Sequence, residues 1–189
     1  MIDIALRFLK DQVESHLARS LGVSTITTRL SPVVDDTGKF VIGDGAIGLT
    51  LINVEEDRTL KGQLLEYQER NGQHVAIEPG LHMNLVVMFA AHFKHYDEAL
   101  KCLSCVLEFF QGNPGFSPET SPGLDPRIRH LNPELLTLTF EQLNQVWAFV
   151  GAKQLPSVFY RVRTVSIRGD LPVRVQPPVT ALGATLKGT

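Results

Sequence analysis

Residues 47–60 read IGLTLINVEEDRTL, and this stretch decides the fold. Ile47, Leu49 and Leu51 alternate with Gly48, Thr50 and Ile52, the two-residue period of a sheet strand. Glu55, Glu56, Asp57 and Arg58 follow as a charged cluster that reads as a loop at the strand's end. Neither a nucleophile nor an electrophilic partner accompanies the three carboxylates, which argues against an acid/base site. A charged patch carried on a rigid strand suits docking to another protein.

C-terminal to that strand, Leu64–Arg70 and Gln73–Ile77 flank Asn71-Gly72, a two-residue hairpin signal because both residues accept positive φ. Leu81–Ala91 predicts a long central strand, with Leu81, Met83, Leu85, Val87 and Phe89 on one apolar face. Tyr96–Gln111 reads as a helix whose polar positions, Lys101, Ser104, Glu108 and Gln111, form one narrow stripe, so most of it should be buried. Residues 112–126 carry four prolines and cannot be regular structure. This long loop is a candidate for reaching a neighbour. Leu136–Phe140 alternates as a short strand. Thr139 with Gln142 then forms a capping box, opening a helix with Leu143, Val146, Trp147 and Val150 on its apolar face and Gly151 at its end. The last strand is Val158–Ile167.

N-terminal to the deciding stretch, Ile2, Leu6, Leu9, Val13 and Leu17 recur at helical spacing and Gly22 ends that helix. Ser24–Leu30 is β-branched and reads as a strand, and residues 35–39 (DDTGK) as a turn. The sum is an α+β domain over residues 1–168, about three helices packed on a mostly antiparallel or mixed sheet. Residues 169–189, with Pro172, Pro177 and Pro178, read as an extended or disordered tail.

Composition narrows the function classes. A chain of 189 residues with 43% apolar content can bury a real core as one domain. A net charge of −2 predicts no strong attraction to nucleic acid. Two cysteines make no disulfide framework. Residues 1–10 have Asp3 where a signal peptide needs a basic region, and no apolar run approaches the ~18 residues of a membrane span. These features point to a soluble cytoplasmic protein.

His92, His95, Cys102 and Cys105 place four soft ligands within fourteen residues, which raises zinc or redox chemistry. The two cysteines fall in the apolar part of a helix, however, where no tight turn converges them, and core packing is the better reading. His16 and His82 read as structural or solvated. Gly43–Gly45 is too short to cradle phosphate, and no nucleophile elbow, P-loop or dinucleotide fingerprint is present. Arg161 and Arg163 project from one face of the last strand, and Arg127 and Arg129 follow the proline-rich loop. These four cations are candidates to meet the acidic cluster of a neighbouring copy.

Five segments carry a resemblance: MIDIALRFLKDQ (1–12), IGLTLINVEEDRTLK (47–61), NLVVMFAAHFKHYDEAL (84–100), PGLDPRI (122–128) and GAKQLPSVFYRVR (151–163). In order and spacing the chain resembles the N-terminal domain of the tail-terminator (cap) proteins of extracellular contractile injection systems, the phage-tail-like, antifeeding-prophage type. The resemblance implies a tail-terminator-like fold. It implies a structural hexameric ring that closes the distal end of inner tube and sheath, with no enzymatic activity and no cofactor. Implied partners are further copies or a longer paralogue, together with tube and sheath subunits. Nucleic acid and membrane insertion have no place in it, and the setting is the cytoplasm, within the assembled particle. Longer members continue beyond this domain, whereas here only residues 169–189 follow. On this reading Glu55, Glu56, Asp57, Arg58, Asp125, Arg127, Arg129, Arg161 and Arg163 are the candidate contacts to a neighbouring subunit, sheath or tube. The alternatives are a monomeric adaptor, or a metal or redox protein using His92, His95, Cys102 and Cys105.

Overall fold

The computed structural model of the chain describes residues 1–22, 26–57, 66–70, 73–77, 81–167 and 174–175. Helix α1 spans Ile2–Leu21 and ends at Gly22, whose φ of 64° puts it in the left-handed region that a helix stop favours. Strands β1 (Thr27–Leu30) and β2 (Ala46–Glu56) run parallel. Strands β3 (Glu66–Arg70) and β4 (Gln73–Ile77) form the expected hairpin, Arg70 pairing with Gln73. Strand β5 (Leu81–His92) leads to α2 (Tyr96–Gly112), then β6 (Asn132–Leu135), α3 (Phe140–Val150), β7 (Ser157–Ile167) and β8 (Arg174–Val175).

One five-stranded mixed sheet, ordered β1-β2-β5-β7-β6, carries the domain. All its pairings except β1–β2 are antiparallel. The fold is α+β, as the sequence predicts. Short strands lie at both edges, and β6 accommodates Pro133 there, since an edge position spares proline a missing ladder bond.

Two apolar clusters sandwich the sheet. On one face, Ile47, Leu49, Leu85, Val87 and Phe89 meet α1 (Leu6, Leu9, Val13, Leu17) and α2 (Leu103, Val106, Phe109, Phe110). The rings of Phe110 and Tyr160 lie 4.5 Å apart there. On the opposite face, Ala46, Met88, Ala90 and Phe159 meet Trp147 of α3 together with Val33 and Ile42. Both faces of β5 are therefore covered, which is why Val86 and Met88 are apolar where a half-exposed strand would be polar.

Residues 31–42 form a strap over the second face. The Asp35 carboxylate accepts from Thr37 N, Thr37 Oγ1 and Lys39 N at 2.8, 2.7 and 3.0 Å, closing the turn. These bonds hold the Asp35 carboxyl below the usual carboxylate range. The strap's end is clamped by His92, whose Nδ1 donates to Ile42 O at 2.8 Å while its ring stacks on Phe40 at 4.8 Å. Ile42 lies directly over Gly48 of β2, where any larger residue would collide with it.

Three expectations change. Glu55 and Glu56 are not in a loop: β2 runs through Glu56, pairing Glu55 with Asn84 and Glu56 with Met83, because β5 is long enough to carry its partner past the charges. A register shift at Ile52 re-aims the strand beyond it. The strand expected at Leu136–Phe140 lies earlier, at Asn132–Leu135, and after one last bond from Leu136 N to Phe159 O (2.8 Å) the chain turns under α3. Leu136 and Leu138 alternate because they pack into the second cluster there. Residues 113–126 are irregular, as expected of 112–126, yet with residues 127–131 they are no free arm. Phe116 bridges to Leu131, and Phe116, Leu124, Ile128 and Leu131 are buried in the first cluster. Phe8 meets Phe116 edge-on at 5.4 Å. Within residues 169–189, β8 pairs with β4 and completes a second sheet of order β3-β4-β8. Asn71, Gly72, Ser24 and the rest of residues 169–189 lie outside the described residues.

Candidate assembly interface

The candidate charges sit on adjacent strands, which brings some together and separates others. Glu134 of β6 and Arg161 of β7 are direct cross-strand partners, so they share a face, and Arg163 two residues on shares it too. Arg163 Nε pairs with Glu134 at 2.9 Å. Arg161 Nε reaches Glu55 at 3.4 Å across the sheet, without the alignment of a hydrogen bond. The result is a ladder, Glu55–Arg161–Glu134–Arg163, on the face that also carries α3. Each pair is partly exposed and contributes little to stability. Where such a ladder meets another surface, charge complementarity governs register and specificity more than affinity.

Asp125 and Arg127 form a separate local pair. The guanidinium meets both carboxylate oxygens at 2.9 and 2.8 Å, and Arg127 N adds a third bond at 2.9 Å. The Arg127 guanidinium and backbone hold the Asp125 carboxyl down at about 2. Arg129 is exposed nearby. Asp57 receives Asn84 Nδ2 at 3.5 Å, and Arg58 lies outside the described residues. The cations expected to seek a neighbour's acidic cluster are thus in part already paired within the chain: Arg161 with Glu55, Arg163 with Glu134 and Arg127 with Asp125. The sequence reading did not single out Glu134, which only the β6–β7 register places beside both arginines.

Cys102 and Cys105 are buried in α2 as free thiols. Burial pushes the Cys102 thiol up to about 11 and raises Cys105 as well. His92 is committed to the strap, and His95 is exposed at the start of α2. Among the described residues no three His, Cys, Asp or Glu side chains are grouped to hold a metal ion.

Beside the ladder lies a groove of about 470 Å³, walled by Ile52, Val86, Leu136, Leu138 and Phe149, with Glu55 and Arg161 at its rim. A smaller one of about 370 Å³ flanks the other side of α3, between Phe140, Leu143 and Trp147. Phe140 is 93% exposed and Phe149 64%, the two most exposed large apolar residues on α3. The sequence reading assigned Phe140 to a strand and overlooked Phe149. Their spacing of nine residues was the available signal, because it places them on opposite sides of one helix.

A family model described as the Pvc16 N-terminal domain matches residues 5–181. The chain belongs to this family. Two solved structures share its fold. One is the sheath/tube terminator of an extracellular contractile injection system, PVC, in the extended state, with TM-score 0.70, 16% identity, and coverage of 100% of this chain and 64% of that one. The other is the tube-terminating cap of the anti-feeding prophage, AFP, with TM-score 0.68, 14% identity, and coverage of 98% and 61%. This Pvc16 N-terminal domain chain therefore spans under two thirds of the length of the terminators it resembles. No curated protein matches it in sequence. The resemblance inferred from the five segments is upheld, as is the tail-terminator fold. Among the described residues, no helix is long and apolar enough to cross a membrane.

Proposed function

We propose that this chain is a structural terminator: a ring of copies, six on the implied symmetry, seats on the last layer of inner tube and sheath and stops further addition. The observation that carries this is the terminator fold matched over the whole chain, together with family membership over residues 5–181. The physical logic is simple. A tube grows by repeating one contact, so its open end remains a template until a different surface covers it. A rigid sheet with a charged ladder and helix-bordered grooves can match the last layer while presenting something else outward. The role needs no enzymatic chemistry and no cofactor, and its partners are copies of itself or a longer paralogue, plus tube and sheath subunits. It would be filled in the cytoplasm as the particle assembles.

Deletion of the gene followed by electron microscopy of purified particles tests the proposal. Loss of length control or fraying at the distal end is the expected result. Intact contractile particles of normal length would refute it and favour a monomeric adaptor.

A further inference from the structure

We draw no further inference here: the strongest candidate, the cavity between α1 and α2 that Leu21, Ile26, Phe93 and Cys102 line together with the exposed Asp44 and Glu98, has nothing in the structure to show what covers it.

Discussion

Gly48→Ala should be costly for one specific reason, the Ile42 side chain above it. A Cβ built on Gly48 lies 2.2 Å from Ile42 Cδ1 and 2.5 Å from Cγ1. Normal carbon–carbon contact is about 3.5–4.0 Å, so the groups would overlap by more than an ångström. Ile42, at the end of the strap, is fully buried against the sheet. Overpacking of this kind costs about 1–3 kcal/mol. Removing a strand glycine recovers about 0.5–1 kcal/mol of backbone entropy, so the net loss is smaller. Ile42→Ala alone should cost about 2–5 kcal/mol through its cavity.

The double variant is the informative one. With Ile42 cut back to Cβ, the nearest atom of residue 42 is 3.6 Å from the new methyl group, an ordinary contact. Gly48→Ala should then be neutral or mildly stabilising, giving a coupling of about 1–3 kcal/mol. Urea unfolding of the four proteins measures it, and in thermal scans each kcal/mol corresponds to about 2–4 °C. Additivity within about 0.5 kcal/mol would refute the packing of the strap on β2.

Burial that lifts the Cys102 thiol from 9.0 to about 11 has a pH consequence. Between those values the unfolded chain has lost the proton and the folded chain keeps it, so stability should fall as pH rises from 9 to 11. The double variant Cys102→Ala/Cys105→Ala should lose that slope, at a packing cost of about 1–2 kcal/mol, as read by urea titration at each pH. Stoichiometric zinc in native protein, found by elemental analysis, would overturn the core reading of these thiols. Glu55→Lys sets a like charge beside Arg161, and because the pair is partly exposed it should cost under about 1 kcal/mol in unfolding while weakening particle capping more strongly. Adding Arg161→Glu should restore capping; failure of the swap would remove this pair from the interface. Truncation after Val175 should leave the melting temperature nearly unchanged, whereas truncation after Gly169 also removes β8 and should speed hydrogen exchange at Val75 and Ala76 of β4. Equal exchange in the two truncated forms would show that β8 does not protect that edge.

Periodicity and end signals made much of the fold legible. Gly22 and Gly151 stop helices at φ of 64° and 73°, and Thr139–Gln142 forms the capping box that the spacing predicts. Such signals are local: the atoms that satisfy them lie within a few residues. The two-faced burial of β5 was legible because apolar residues occupy both parities of Leu85–Met88. The family resemblance rode on the same local segments, whose order and spacing survive where overall identity to the solved terminators is only 14–16%.

What the tertiary structure alone decided are pairings over long separations. Glu55 belongs to a strand because Asn84 lies opposite it, and Glu134 joins the ladder because β6 lands in register with β7. The proline-rich segment reads as an arm, yet its Phe116 and Leu124, with Ile128 and Leu131 just beyond it, pack into the first cluster, a choice made by the space α1 and α2 leave. In the sequence Phe140 reads as the end of a strand, and Phe149 lies off the apolar face of the helix. They are surface residues because α3 sits on the sheet through Trp147 and its neighbours, turning the two rings aside. A sequence states which groups prefer to leave water. Only the packed fold decides which of them find no partner within their own chain.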